Sequence, residues 1–521
     1  MAEFIDSVRD KVSSFAISSY FSIRNPDHEL RAKEIILEKI KDVPVVCGHE
    51  LSQDIGAYER AVTASLNAQL IPIITQFIHS IVADFKRRGI AAPILMLKCD
   101  GSVTSIEDAL KKPIETIFSG PAASLIGASH LSKMDTCVTI DVGGTSTDVS
   151  AMFNGIPALS DSGGIIGGWK TRVRSINMET SAIGGDSHIW IKNRHFFIGP
   201  RRVMPLCVAA EKYPQILLKL KNLAIPPRAD FDNNIQPATF FIRNGKSASG
   251  INEEEKRLLK LLGDDPISYV DLTSLCGKYV SSRTLNGLFQ KRLIQGIGFT
   301  PTDVLHVLGD YTQWNASASS LGAEHLAKLL FRSKVEFCQT LKTEFAQNMV
   351  FNLIKYLLPG YDEVGIEKIL RGKVDVGFKV KLPVVLIGGP VAPYVQEISN
   401  IIDANIVLPE HSEVGNAVGA LFGKGIKRVE FLIKPVSLED PDAGIIVFSP
   451  EKREVFEKYA DAYEYAINMG ESLIIEYMYK CGIGKNNVSI DSNVKKITFE
   501  GWKNPPMETR ITMIGIGKKY V

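Results

Sequence analysis

The residues Asp141-Val142-Gly143-Gly144-Thr145-Ser146-Thr147-Asp148-Val149 follow an apolar run, Cys137 to Ile140, and set two glycines among hydroxyl and carboxylate groups. Glycines let a chain turn tightly and bring its N–H groups against phosphate oxygens, and the hydroxyls of Thr145, Ser146 and Thr147 add donors. The pattern predicts a phosphate cradle at the end of a strand, with Gly143, Gly144, Thr145, Ser146 and Thr147 as its lining. Asp141, at the strand end, is placed to hold Mg2+ through water or to orient an attacking nucleophile, and Asp148 is a second candidate for the metal. A plain Gly-Gly hairpin would require the glycines but not the unbroken run of polar groups after them. The chain has no G-x-x-x-x-G-K-[ST] loop and no G-x-G-x-x-G opening a helix, so neither a Walker loop nor a Rossmann turn is predicted.

Three other groups of residues are candidates. Gly388 and Gly389, after the apolar Val384 to Ile387, predict a turn that a nucleotide can approach closely. Asp186 and His188, within Ala182-Ile183-Gly184-Gly185-Asp186-Ser187-His188, can reach a substrate or a metal. Asp186 can equally fix its own turn, and His188, ahead of the alternating Ile189 and Ile191, reads as a strand residue. His28 and His49 each precede a glutamate, but without H-E-x-x-H zinc spacing, so structural roles are expected. Cys99 has no identifiable base beside it, which favours turn chemistry over nucleophilic chemistry.

Strands alternating with helices position these groups, which argues for an α/β layered fold. Strands are expected at Ser14 to Ile23, Pro44 to Cys47, Ile94 to Lys98, Cys137 to Ile140, Val384 to Ile387 and Ile406 to Leu408. Helices are expected at Pro26 to Lys41, Tyr58 to Arg88, Ala323 to Leu358 and Lys452 to Tyr479. Glycines and strand formers from Ile156 to Arg202 suggest a β-rich insertion. Between Asn252 and Leu308, helices at 253–262, 267–276 and 281–291 precede a strand at 293–299, which resembles a winged-helix module as well as any three-helix insert. The expected divisions are 1–132, 133–250, 251–308, 309–428 and 429–521.

Composition narrows the function. The 521 residues are 45% hydrophobic and 23% charged, which excludes disorder along the whole chain. Sixty basic against 58 acidic residues leave +2, without the excess that non-specific nucleic-acid binding needs. Arg283, Lys291 and Arg292 are too few for a phosphate footprint. Seven cysteines without C-x-x-C spacing predict reduced thiols in a cytoplasmic chain. The start lacks a secretory pattern, and Ala61 to Ala83, though without formal charge, carries Asn67, Gln69, Pro72 and Gln76, so a buried core helix is expected there and no membrane span.

The Asp141 turn resembles the phosphate loop of the actin, sugar-kinase and Hsp70 ATPase superfamily, and Ile387 to Pro393 is similar to its adenosine motif. Glu413 to Leu421, rich in small residues, resembles the helix at which that superfamily's two lobes cross. A narrower resemblance spans almost the whole chain. Asn25-Pro26-Asp27-His28-Glu29, Gly48-His49-Glu50, Tyr58-Glu59-Arg60, Ser119-Gly120-Pro121-Ala122, the Asp141 turn, Gly298-Phe299-Thr300-Pro301-Thr302-Asp303 and Leu321-Gly322-Ala323-Glu324 together look like the hydantoinase A / 5-oxoprolinase family. The residues beyond Val429 read as a separate C-terminal α/β cap, and the resemblance implies an actin-like (ribonuclease H-like) ATPase fold using ATP and Mg2+ to phosphorylate a lactam or ketone oxygen. A B-type subunit would be its partner; Asp141, in the turn that carries the resemblance, and Asp186, read from its own segment, are the candidate catalytic carboxylates. A catalytically degenerate nucleotide binder and a ketone carboxylase subunit are the alternatives.

The family's own first Asp-x-Gly-Gly-Thr turn precedes the Asn-Pro-x-His-Glu landmark by more than a hundred residues, yet here that landmark stands at residue 25. An incomplete first lobe is therefore expected. A misassigned start, a cut chain, a separate chain supplying the missing phosphate loop, or lost ATP hydrolysis would each account for it. Ala182 to His188 also departs from the glycine-rich Gly-Gly-Gly-Ser segment of oxoprolinase-like members, which leaves the substrate open.

Overall fold

Phe15–Ile17 (β1) and Val45–Cys47 (β2) pair in parallel, joined by the helix Asp27–Lys39 (α1). Parallel neighbours require such a crossover, and Ile36 is the buried anchor of this one. The computed structural model describes all residues except 53–55, 93, 161–162, 247–249, 438–439, 441–442, 451, 499–504 and 518–521. They divide into two units, one of residues 1–127, 157–177 and 416–521, the other of 128–156 and 178–415.

The first unit holds β1, α1, β2 and the long helix Ala57–Arg87 (α2). One face of the α2 N-terminal half is buried, and Asn67 ties it down by donating to the Lys111 carbonyl (2.9 Å) and accepting from the Ile114 N–H (3.1 Å). The expectation of a core helix fails beyond that point, because Ile73 is 63% and Phe77 54% exposed. The apolar stripe continues where its cover does not. By length and composition α2 could cross a membrane. The unit also contains a five-stranded antiparallel sheet built from Gly425–Pro435, Ile445–Phe448, Arg453–Phe456, Val488–Ile497 and Glu508–Gly517, with the helix Tyr459–Lys480 packed on it. The helix expected from Lys452 thus begins later, after a strand whose alternation was hidden by charged neighbours. The helices Ser119–Ser132 and Gly415–Leu421 touch at Gly419, where an added Cβ would lie 2.6 Å from the Ala123 carbonyl carbon.

The second unit is organised around a sheet of Cys137–Val142 (β3), Thr147–Phe153 (β4), Met178–Ser181 (β5), Lys379–Gly388 (β6) and Asp403–Val407 (β7), in the order β5-β4-β3-β6-β7. The first three are antiparallel, whereas β3, β6 and β7 run in parallel, with the helix Val395–Ile401 (α3) joining β6 to β7. Val384 to Ile387 are at most 1% exposed, as befits a strand covered on both faces. A smaller sheet of Met204–Pro205, Phe240–Arg243, Ile267–Ser268 and Ile294–Gly298 carries the helices Glu253–Leu261, Tyr269–Cys276 and Ser282–Gln290. The expected helix 323–358 is two, Ala316–Leu329 and Lys334–Leu357, broken where Phe331 takes φ 57° and Ser333 caps the second. The seven cysteines are buried thiols.

Candidate functional site

The Asp141 turn is the tip of the β3–β4 hairpin. Gly143 N–H donates to the Ser146 carbonyl at 2.9 Å, closing the tip. The segment Gly184 to Asp186 supports it from one side: Gly185 and Asp186 N–H groups donate to the carbonyls of Gly143 (3.0 Å) and Gly144 (2.8 Å). A carbonyl and the next residue's N–H lie on opposite sides of one planar peptide. The N–H groups of Gly144 and Thr145 therefore point away from that support, and with Ser146 N–H they have no protein acceptor among the described residues. Gly143 and Thr145 are exposed. The tip presents three consecutive amide donors, an anion-binding concavity. Thr147 is different: it is buried, and its hydroxyl donates to the Ile183 carbonyl (2.8 Å).

Two carboxylates flank this tip. Asp141 and Asp148 are directly opposed across β3 and β4, where side chains share a face. Burial pushes the Asp148 carboxyl up from its ordinary value, with Thr180 and Ser146 partly opposing that; the Ser146 hydroxyl is 3.3 Å away. Like charges placed opposite one another favour a cation between them or a shared proton. On the other side of Asp141 stands Gly388, with φ 106° and an imagined Cβ only 2.7 Å from Asp141 Oδ1 and 2.8 Å from the Val142 carbonyl carbon. Only glycine fits there. Gly389 N–H donates to the Val142 carbonyl (2.9 Å), fixing the second turn to the end of β3. The structure thus gathers Asp141, Gly143, Gly144, Thr145, Ser146, Asp148, Gly388 and Gly389 at the ends of β3, β4 and β6.

Asp186 joins them with a partner. Its Oδ2 accepts from Arg202 Nε (3.0 Å) and Nη2 (2.9 Å) and lies against Gly144. Burial raises its carboxyl and Arg202 lowers it, the first effect being larger. His188, two residues further on, is not at the site. It is buried, contacts Asn233 at 3.1 Å and Thr239 at 3.3 Å, and packs on Gly298; burial pushes its pKa down to about 4, so it serves as a neutral core histidine.

Sequence reasoning missed the work of Gly184, whose Cβ would lie 2.7 Å from the Gly144 carbonyl carbon. It also missed Thr302, which bonds the Gly185 carbonyl through N–H (3.0 Å) and hydroxyl (2.8 Å). Beside it the buried Asp303 accepts from the N–H groups of Thr300, Leu206 and Cys207 and from the Ser319 hydroxyl. The Gly298 to Asp303 landmark thus braces the Gly184 to Asp186 segment that supports the Asp141 turn. The signal available was the Thr-x-x-Asp spacing of a capping box.

In the other unit, three landmarks converge. The buried Glu29 accepts from Ser19 N–H (2.6 Å), His49 N–H (3.0 Å) and the His49 ring (2.6 Å), while Arg60 donates to the Ser19 and Tyr20 carbonyls (3.1 and 2.8 Å). Burial opposes the charge on Glu29, but these bonds prevail and its carboxyl is held below the usual range. Cys47 brings the set to three groups of metal-ligand type within 4.8 Å. Burial pushes that thiol up to about 12, and the Glu29 oxygens are already engaged, so the cluster locks β2 to α1.

The family model described as hydantoinase/oxoprolinase matches residues 60–210. The caprolactamase alpha subunit of Pseudomonas jessenii is 31% identical over 187 residues, 35% of this chain and 27% of that protein. The 5-oxoprolinase of Dictyostelium discoideum is 26% identical over 232 residues, 41% of this chain and 18% of that protein. The nucleotide-free structure of acetone carboxylase, solved for the mechanism of ATP-dependent acetone carboxylation, superposes with a TM-score of 0.60 at 14% identity, covering 99% of this chain and 66% of that one. The chain therefore shares that α/β fold while spanning less than two thirds of each of these proteins.

Proposed function

We propose that this chain, whose residues 60–210 belong to the hydantoinase/oxoprolinase family, is the nucleotide-binding part of an ATP-dependent enzyme acting on a lactam or ketone carbonyl. The observation that carries the reading is the hairpin tip: the Gly144 and Thr145 amides turned outward by the bonds behind them and the Ser146 amide without a protein acceptor among the described residues, between Asp141, Asp148 and the cleared space at Gly388. Bound ATP would supply a phosphoryl group that makes a leaving group of an inert carbonyl oxygen. The chain's own part is to hold and orient. Amides of Gly144, Thr145 and Ser146 would hold terminal phosphate oxygens, Asp141 and Asp148 would hold Mg2+, and the Gly388-Gly389 turn would admit the nucleoside. Asp186, kept beside the tip by Arg202, is the second carboxylate able to orient a nucleophile. These positions support the actin-like reading of the second unit.

Relatives named as subunits of caprolactamase and of acetophenone and acetone carboxylases support assembly with a second, B-type chain. Buried thiols suit a cytoplasmic location. Nucleotide binding without turnover is the second reading, favoured by the single Asp-x-Gly-Gly-Thr turn in 521 residues. Calorimetric titration with Mg-ATP, wild type against Asp141→Ala, tests the site. Binding should be lost with the fold intact, and unchanged titration would refute the assignment. A phosphate-release screen over hydantoin, 5-oxoproline and simple ketones then separates the two readings.

A further inference from the structure

Arg201 and Arg202 end the strand His195–Arg202, which pairs antiparallel with Ser187–Lys192. Successive side chains of a strand take opposite faces, and these two arginines have different surroundings. Arg201 is engaged within the fold: its fork donates to Asn234 and Asn286, and it lies over the Phe289 ring, 4.2 Å from the ring centre. Arg202 has capacity to spare. Its Nε and Nη2 both donate to one oxygen, Asp186 Oδ2, at 3.0 and 2.9 Å, and among the described residues its other donors and Asp186 Oδ1 have no protein partner. The Arg202 side chain is 62% exposed. Its backbone is fixed nonetheless, because Val203 N–H donates to the Asp186 carbonyl (3.0 Å) and Arg202 is paired with Ser187. The ion pair stands beside the hairpin tip. Asp186 Oδ2 lies 2.6 Å from where a Gly144 Cβ would be, and Asp186 N–H holds the Gly144 carbonyl (2.8 Å).

We propose that Arg202 is a ligand for the terminal phosphate of the nucleotide, exchanging Asp186 for that phosphate when it seats on the Gly144 and Thr145 amides. This rests on the nucleotide reading above. A guanidinium carries five donors in a planar fork that matches two phosphate oxygens at once, whereas here it meets a single carboxylate oxygen. Bidentate charge-assisted bonds to phosphate are the stronger arrangement. An ion pair whose cation is this exposed contributes little, so giving it up costs little. The strand holds the root of the arm while the side chain changes partner, as a positioned ligand requires. The exchange also removes the cation from Asp186 at the moment a phosphate is present, which leaves both carboxylate oxygens open to a hydrogen bond from a nucleophile. An arginine at the transferring phosphoryl group offsets the charge spread over its oxygens.

The test is a calorimetric double-mutant cycle on the full chain, titrated with Mg-ATP and, separately, with tripolyphosphate. Arg202→Ala should weaken both by at least about tenfold, and Arg202→Lys, which keeps the charge without the fork, should recover part of the loss. Asp186→Ala frees the arm and should bind at least as tightly as wild type; Asp186→Asn takes its place if the alanine variant does not fold. Arg202→Ala made in the Asp186→Ala background decides. A phosphate ligand is still missed there, so a loss of at least about tenfold should persist, whereas an arginine that only neutralises Asp186 would no longer matter. Loss of the effect in that background overturns the proposal, as does Asp186→Ala binding as poorly as Arg202→Ala, which is the mark of a pair that merely braces the turn. Wild type that binds Mg-ATP while the Arg202 series stays level sinks the arm and leaves the nucleotide reading standing. Arg202-dependent binding of tripolyphosphate without binding of Mg-ATP does the reverse, and a wild type that binds neither sinks both.

Discussion

Replacing Gly388 by alanine tests the link between backbone shape and the proposed site most directly. The residue sits at φ 106°, and the added methyl would lie 2.7 Å from Asp141 Oδ1 and 2.8 Å from the Val142 carbonyl carbon. The Val142 carbonyl cannot withdraw easily, since it accepts from Gly389 N–H and Val142 is paired with Thr147 on β4. The positive φ costs about 1–2 kcal/mol for a residue with a Cβ. Forcing an extra methyl into a packed strand end adds about 1–3 kcal/mol. Gly388→Ala should therefore destabilise by about 2–5 kcal/mol. Gly389→Ala is the internal control, because its methyl would make an ordinary 3.6 Å contact with the Val142 oxygen, and it should cost under about 1 kcal/mol. Urea unfolding of both variants, followed by circular dichroism, gives the difference. Mg-ATP titration of folded Gly388→Ala should show at least about a tenfold loss, while Gly389→Ala keeps most of its affinity. Equal stabilities, or equal affinities despite a large stability difference, would refute the cleared-space argument.

Gly419→Ala should be worse tolerated than Gly389→Ala, because its methyl would meet the backbone of Ala123 and Gly127; a fall in thermal midpoint of several degrees is expected. Glu29→Gln removes a buried charge that accepts three donors and should cost about 2–4 kcal/mol by urea unfolding. Because the folded-state carboxyl of Glu29 lies below its unfolded value, its contribution is present above that value and lost as pH falls, so the variant should show a flatter acid limb. Glu115 follows the same sign. Burial raises it but Lys98, at 3.0 Å, wins and holds it at about 2, so up to about 3 kcal/mol should disappear between pH 5 and pH 2 and be absent from Glu115→Gln.

Much of the site was readable because its signals are local. A strand end, two glycines and three hydroxyls occupy adjacent positions, and Val384 to Ile387 announces a buried strand without help from partners. What failed was whatever depends on a distant neighbour. The period of α2 marks an apolar face but not whether anything covers it, so the exposure of Ile73 and Phe77 was invisible. Ser333-Lys334-Val335-Glu336 carries the spacing of a helix start, but Phe331 is not a residue type that announces the left-handed turn ending one helix before Ser333 begins the next. The roles of Gly184 and Thr302 were hidden because their work is done on Gly144 and Gly185, the latter 117 positions away from Thr302. Glu29 and His49 were weighed as separate His-Glu pairs, whereas the fold joins the second half of one to the first half of the other.

The seven thiols give the molecule a built-in clock. Each sulfur is shut away, and burial keeps Cys47, Cys99 and Cys338 at about 12, so an alkylating reagent at neutral pH finds neither access nor thiolate. Labelling must then wait for the surrounding structure to open. Cys47 and Cys99 report on one unit, Cys137 and Cys338 on the other, and the order in which they acquire label would show which half breathes first.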